Sequence, residues 1–311
     1  MRVEIPSLSP FLYPLPRGEE KPSTKEILLQ NLKDRIQQLK KKRPGYGEIL
    51  GFYQKIKEAQ DKVRASLRMD PIKLKKESKK LSAEEGSSLI RKEKFPLDIE
   101  SSVKLFETLC QIGKEANVHM AEQVGKIREA LDKKKMNLRR LFKKGLTEQT
   151  VEQAADEFGL DKKVFLFLIQ SSIKPSIEAA LEILRGELDP ETWLKGQCPI
   201  CGSLPSLSLL KEDAGKRYLL CCLCGYQWRI DRFFCPFCGN KDRASLHYFH
   251  GEGEEAHRID LCDKCHQYIK TIDYRKIEES DPVLEDLATL HLDILAAQQG
   301  YKRPIPNPWS I

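Results

Sequence analysis

From Thr24 to about Arg68, apolar residues recur at helical spacing: Ile27, Leu28, Leu32, Ile36 and Leu39, then Ile49, Phe52, Ile56, Val63 and Leu67. Two helices are predicted there, parted at Gly45 and Gly47. A single long amphipathic helix is expected next, because Val103, Phe106, Cys110, Gly113, Val124, Ile127 and Leu131 fall near one stripe. Cys110 lies on that stripe and reads as a small core hydrophobe. A further helix is predicted from Thr147, its N-cap, to Phe158, stopped by Gly159. The last of this series covers about 161–186, with a kink expected at Pro175. Residues 1–23 carry closely spaced prolines and read as an extended or disordered arm. Residues 69–97 are lysine-rich and weakly periodic, and specify no element.

Beyond about residue 195 the pattern changes. Short β-rich segments are expected at Tyr218–Leu220, Gln227–Phe234, Ser245–His250 and Tyr268–Asp273, the make-up of a small meander. Asp281 and Pro282 supply an N-cap and a first-turn proline for a final helix. Leu284, Leu287, Leu290, Ile294 and Leu295 line that helix, and Gly300 ends it. The tail from Tyr301 to Ile311 contains Trp309; it is expected to follow the helix onto the body, the alternative being an exposed tail that engages a partner.

What the meander is for shows in the cysteines. The chain has 311 residues and ten cysteines, nine of them between Cys198 and Cys265. Eight form four C-x-x-C pairs: Cys198/Cys201, Cys221/Cys224, Cys235/Cys238 and Cys262/Cys265. Two-residue spacing turns both thiolates of one tight turn toward a single ion, and two such turns close a tetrahedral sulfur cage suited to zinc(II) or a rubredoxin-type iron. Three knuckles continue into glycine, at Gly202, Gly225 and Gly239; the fourth continues into His266, a departure that puts that turn's geometry in question. Internal repetition selects the pairing. Cys198-Pro-Ile-Cys-Gly opens one unit that passes through Arg217-Tyr218-Leu219-Leu220 to Cys221 and Cys224. Cys235-Pro-Phe-Cys-Gly opens another that passes through His257 to Leu261 and reaches Cys262 and Cys265. Each unit then supplies its own four sulfurs; the rival pairing of Cys221/Cys224 with Cys235/Cys238 breaks the repeat. Cys222 is read as a spare thiol beside the first cage. His247, His250 and His257 are read as strand or loop residues, because four sulfurs already complete a tetrahedron, and His291 as structural.

The expected architecture is multidomain. It comprises an arm (1–23), an all-α domain (24–195), two small rubredoxin-like or zinc-ribbon four-cysteine modules (196–233 and 234–275), and a C-terminal helix with its tail (276–311). Each module is about 40 residues, a size at which metal commonly replaces a large core.

Charge and the remaining motifs narrow the function classes. The first hundred residues hold 23 basic and 15 acidic side chains, which accounts for the whole formal charge of +7, while the cysteine region is nearly neutral. The lysine runs therefore read as solvated helix faces. Thr150 to Gln170 has the spacing of a helix-turn-helix, but its second helix reads Val164-Phe165-Leu166-Phe167-Leu168-Ile169, apolar nearly all round, so it cannot present polar side chains to base edges. A closed four-sulfur cage leaves no coordination position for water or substrate. No Ser/His/Asp arrangement, P-loop or H-E-x-x-H is present. The chain is expected not to be an enzyme. No signal peptide or membrane-spanning apolar run is evident, and reduced, clustered thiols suit the cytoplasm.

The run Trp193 to Ser203, Arg217-Tyr218-Leu219, the four knuckles, Leu246-His247-Tyr248, Tyr268-Ile269-Lys270, Glu285-Asp286-Leu287-Ala288-Thr289-Leu290, and Gly300-Tyr301 through Asn307-Pro308 resembles the formate dehydrogenase accessory protein family, FdhE. The resemblance is specific over about 193–311 and loose over the N-terminal helices. It implies a cytoplasmic, non-catalytic protein that binds the immature catalytic subunit of formate dehydrogenase, carrying metal on all eight knuckle cysteines. Iron is the metal it favours, with zinc possible. Two further readings accompany it: a zinc-ribbon nucleic-acid-binding protein using the N-terminal lysines, and a rubredoxin-like electron carrier.

Overall fold

The structure, a computed structural model, describes residues 24–72, 74, 87–143, 148–187 and 193–309. The arm at 1–23, residues 73 and 75–86 of the lysine-rich stretch, and Thr147 with its expected cap lie outside the described residues. Seven α-helices precede the sheet among the described residues: α1 (Thr24–Lys42), α2 (Gly47–Ser66), α3 (Ile99–Lys114), α4 (Val118–Asp132), α5 (Leu138–Lys143), α6 (Glu148–Phe158) and α7 (Lys162–Leu184). The chain region expected to be one long helix is two, α3 and α4. Asn117 accepts a hydrogen bond from the Met120 backbone N–H at 2.8 Å and so starts a new helix. The apolar stripe could not show this break because both helices bury the same face. Gly113 lets them approach closely, since a Cβ there would meet Met120 Cγ at 3.0 Å.

α7 is the axle of the helical domain, packed against α2, α3 and α6. Asp161 caps it by accepting from the Val164 N–H at 3.0 Å, and the helix runs unbroken through Pro175. Val164, Phe165, Phe167, Leu168 and Ile169 are all buried, as the apolar sequence requires. By length and composition the Lys162–Glu187 stretch could cross a membrane, yet 78% of its apolar window is buried inside the protein. Cys110 is buried in the same core, and burial pushes its thiol up to about 12.

Six strands follow: β1 (Pro205–Lys211), β2 (Lys216–Cys221), β3 (Gln227–Ile230), β4 (Leu246–His250), β5 (His257–Cys262) and β6 (Gln267–Asp273). They form one sheet in the order β3-β2-β1-β6-β5-β4. Each unit is an antiparallel three-stranded meander. The two meanders are joined by parallel pairing of β1 with β6, Leu207 opposite Lys270 through Leu210 opposite Asp273. β1 and β5 were not among the expected strands.

The expected final helix is also divided, into α8 (Pro282–Leu287) and α9 (Leu290–Gln298). Asp281 caps α8 through the Val283 N–H at 2.8 Å. The tail returns to the helical domain, where Trp309 sits edge-on to Tyr53 and Phe167, each with a ring centroid 4.9 Å away. It is buried, which excludes the exposed-tail alternative.

Buried ion pairs fasten these parts together. Arg35 of α1 pairs with Glu285 of α8 through Nε at 2.6 Å and Nη2 at 2.9 Å, and the His257 ring of β5 reaches the same carboxylate at 2.8 Å. Lys270 of β6, fully buried, bonds Asp286 Oδ1 and Asp293 Oδ2, each at 2.7 Å, and the Asp286 and Thr289 carbonyls. Arg303 bonds Asp286 at 2.8 Å and Asp293 at 3.1 Å. Burial alone would raise both carboxyls. For Glu285, hydrogen bonds from His257, Arg35 and Ser280 outweigh it; for Asp286, the charges of Lys270 and Arg303 do. Both are held down to about 2.

Because these pKa values are depressed in the folded state, their stabilisation is complete above the ordinary carboxyl range and is lost as pH falls from about 4.5 toward 2. Urea melts should therefore show a steep loss of stability across that window. Asp286→Asn should cost about 3–5 kcal/mol at neutral pH, because it leaves the two buried cations Lys270 and Arg303 with Asp293 as their single shared carboxylate. Equal stability of wild type and variant at pH 7 would contradict this assignment.

Candidate metal centres

Each knuckle is a tight turn closed by the same backbone hydrogen bond, from the residue after the second cysteine to the carbonyl of the first. It runs from Gly202 to Cys198 at 2.8 Å, Gly225 to Cys221 at 3.2 Å, Gly239 to Cys235 at 2.9 Å and His266 to Cys262 at 2.9 Å. All four donors have positive φ, between 73° and 74° at the glycines and 53° at His266. The fourth knuckle therefore keeps the geometry of the other three despite its side chain, and histidine is among the residues that tolerate this region. Its carbonyl accepts from the Lys302 N–H at 2.9 Å, and its ring lies 5.9 Å from that of Tyr301. The tail thus holds the strained turn in place.

These turns bring the sulfurs together in two groups: Cys198, Cys201, Cys221 and Cys224, and Cys235, Cys238, Cys262 and Cys265. All four Sγ atoms of each group lie within 4.8 Å of one another. In the first, Cys198–Cys224 is 3.7 Å, Cys201–Cys221 3.4 Å and Cys201–Cys224 3.8 Å. In the second, Cys235–Cys265 and Cys238–Cys262 are both 3.7 Å. A metal with sulfur bonds of about 2.3 Å has a tetrahedral edge of about 3.8 Å, so both clusters could hold one ion. Each cluster is drawn from a single repeat unit, and the rival pairing does not occur.

Electrostatics points the same way. Burial, then hydrogen bonding among the sulfurs, pushes the Cys198 thiol far above its ordinary range, while the Cys198 hydrogen bond holds Cys201 below it. In the second cluster burial raises Cys235 to about 11. Cys262 stays below its ordinary value because backbone N–H groups and the Asn240 amide outweigh burial. Four thiols at contact distance cannot all ionise in the interior without a cation, and a divalent metal supplies that charge.

The clusters differ in setting. All four cysteines of the first are buried and belong to the hydrophobic core that also contains α7. Leu89 and Ile90 donate backbone hydrogen bonds to the Pro199 and Ile200 carbonyls at 2.8 and 2.9 Å, so the latter part of the lysine-rich stretch runs against the first knuckle. In the second cluster Cys238 is exposed and Cys265 half-buried. Cys222 is exposed beside the first cluster and belongs to neither. His247 reaches Asp263 at 3.0 Å, His250 the Gly251 carbonyl at 2.9 Å, and His257 Glu285; none of the three joins a cluster. His291 reaches Glu254 at 2.7 Å, a contact between α9 and the β4–β5 loop.

Two supporting residues were not apparent from the sequence. Asn240 donates to Cys262 Sγ at 3.5 Å, while its carbonyl accepts from the Cys235 N–H at 2.8 Å, so one residue braces both knuckles. Its signal is position: Asn240 stands five residues after Cys235 as Ser203 stands five after Cys198, and the Ser203 carbonyl accepts from the Cys198 N–H at 2.8 Å. The other is Gly196. The Trp193 and Trp228 indoles donate to the Gln197 and Lys195 carbonyls at 2.7 and 3.0 Å and press this segment onto the second module. A Cβ at Gly196 would lie 1.9 Å from the Pro236 carbonyl oxygen.

Fold and site together define a helical domain carrying two four-cysteine ribbon modules fused into one sheet. Family models for the FdhE central domain and the FdhE C-terminal domain match residues 197–232 and 234–309. A protein FdhE homolog from Aquifex aeolicus is 29% identical over 272 residues, covering 86% of this chain and 90% of that protein. One from Haemophilus influenzae (strain PittGG) is 31% identical, over 66% of this chain and 65% of its own length; protein FdhE of Escherichia coli (strain K12 / DH10B) is 36% identical over 36% and 37%. The crystal structure of the FdhE protein from Pseudomonas aeruginosa shares the fold, with a TM-score of 0.65 over 91% of this chain and 95% of that one at 22% identity. The chain belongs to the FdhE family.

Gly196→Ala should shift the second module away from the first, because the clash is with backbone and no side-chain rotation relieves it. A loss of about 2 kcal/mol or more in thermal or urea unfolding is expected; an unchanged melting temperature would show that this contact is looser than described.

Proposed function

We propose that this protein is a non-catalytic accessory factor for formate dehydrogenase, binding the immature catalytic subunit in the cytoplasm and carrying a metal ion in each four-cysteine cluster. The observation that carries the reading is the pair of closed sulfur clusters on a chain of the FdhE family. Cys198, Cys201, Cys221 and Cys224 would hold one ion and Cys235, Cys238, Cys262 and Cys265 the other. Four thiolates leave no coordination position for substrate, so the metal contributes structure or single-electron chemistry rather than hydrolysis. Iron is favoured by the family resemblance, and the all-sulfur donor set accepts zinc equally well. In this reading residues 24–195 form the helical body, 196–233 and 234–275 the two metal modules, and 276–311 the strap that ties the modules to the body.

The nucleic-acid reading has less support. The apolar helix α7 is buried, and Lys41 and Lys42 are solvent-exposed at the end of a helix remote in sequence from the aromatic and cysteine residues. The test is affinity capture with the full chain: formate dehydrogenase catalytic subunit should be retained at moderate salt, and a strain lacking this protein should lose formate dehydrogenase activity. Capture of nucleic acid in place of the subunit, with steep salt dependence, would replace this reading with the other.

Metal stoichiometry gives a second test. Anaerobically purified wild type should carry about two ions per chain and the Cys235→Ser/Cys238→Ser variant about one, with the first cluster still loaded. A chelator should strip the exposed second cluster before the buried first. Loss of both ions in that variant would contradict independent clusters.

A further inference from the structure

Beside the second cluster the surface opens into a groove lined by residues of the β3–β4 connection and of strands β2, β4, β5 and β6. Phe233 and Tyr248, two of the exposed large hydrophobic residues, both lie in it, at 47% and 61% exposure. Each has a guanidinium over its ring: Arg243 Cζ is 4.3 Å from the Phe233 centroid and Arg258 Cζ 4.6 Å from that of Tyr248. Arg258 Nε pairs with Asp260 at 2.8 Å, but its terminal nitrogens have no hydrogen-bond partner among the described residues. The Arg232 and Arg243 side chains have neither hydrogen bond nor ion pair there, and both are exposed. Asp260, which lines the groove, is already engaged by Arg258, by Arg217 at 3.5 Å and by Thr271 at 2.7 Å.

β4 is the outermost strand of the sheet on this side, and His247, Tyr248 and His250 along it are exposed. Its outward N–H and C=O groups have no neighbouring strand among the described residues. An exposed strand edge recruits an extended chain through backbone hydrogen bonds. A guanidinium stacked on a ring keeps its in-plane N–H fork available for a carboxylate.

We propose that this groove is a docking site for an extended acidic segment of a partner protein, laid along β4 with its carboxylates on Arg232, Arg243 and Arg258. The proposal rests on the accessory reading in taking that partner to be the client enzyme. An acidic peptide is favoured over a single-stranded nucleic acid because one face of each aromatic ring is already covered by arginine, which removes a stacking surface that bases require.

The test uses the full chain and fluorescence anisotropy with three labelled probes: a twelve-residue peptide alternating glutamate and valine, the same peptide with glutamine for glutamate, and a twelve-nucleotide single-stranded DNA. The acidic peptide should bind, weaken as salt rises, and protect β4 amides from hydrogen exchange. The R232E/R243E variant should bind it about tenfold or more weakly with unchanged metal content, since neither side chain supports the cluster. Equal binding of the glutamine peptide, preference for the DNA, or undiminished binding by the variant would each overturn the site. Capture of the formate dehydrogenase catalytic subunit separates the two readings. A subunit held equally by wild type and R232E/R243E removes this surface and leaves the accessory function. A subunit held by neither, with peptide binding intact, removes that function and leaves the surface.

Discussion

Convergence of four sulfurs on one point is the constraint from which the C-terminal half follows. Two knuckles separated by nineteen or twenty-three residues can meet only if the chain between them turns back on itself. In the first unit that return is the β1–β2 hairpin, with Pro205 opposite Cys221 at its base; in the second it is β4–β5, with Leu246 opposite Cys262. A two-stranded hairpin alone is marginal in water, so each unit adds a third strand. The two meanders then complete one another, because parallel pairing of β1 with β6 removes two of four sheet edges and buries Leu207, Leu209 and Ile272 in a shared patch.

The same chemistry is placed in two unlike environments. The first cluster is part of the main core, and the helices that surround it would have to move for the sulfurs to separate. The second stands at the rim of the sheet with Cys238 open to solvent, held by Asn240 within and by the Tyr301–Lys302 segment pressing on His266 from outside. The first is therefore enclosed by the main core, while the second opens to solvent at Cys238. The buried ion pairs from Arg35, Lys270 and Arg303 to Glu285, Asp286 and Asp293 serve this arrangement by specifying one position for α8, α9 and the tail against sheet and helices. Such pairs add less net stability than apolar packing would, and their use lies in fixing geometry.

Much of this was legible in the residues, and the exceptions have physical reasons. Ligand candidates and their pairing could be read because two-residue spacing and the repeat are local properties of the chain. α7 could be read because a helix apolar all round must be buried. The break between α3 and α4 could not, since capping by Asn117 leaves the hydrophobic stripe intact across it. β1 and β5 were obscured for different reasons: Ser206 and Ser208 interrupt the apolar run of one, and charged residues engaged in ion pairs interrupt the other at Arg258 and Asp260. The union of the modules in one sheet depends on a parallel pairing between strands more than fifty residues apart, which no local pattern encodes. His266 shows the converse: the sequence departs from glycine, yet the turn keeps its positive φ because the tail supplies a compensating hydrogen bond.

X-ray absorption at the metal edge of the anaerobically purified full chain tests the central claim most directly. Two independent all-sulfur cages predict a single shell of four sulfur neighbours at about 2.3 Å around every metal ion, with no nitrogen or oxygen at shorter distance. A shell of mixed sulfur and nitrogen, or metal–metal scattering from a shared cluster, would contradict it.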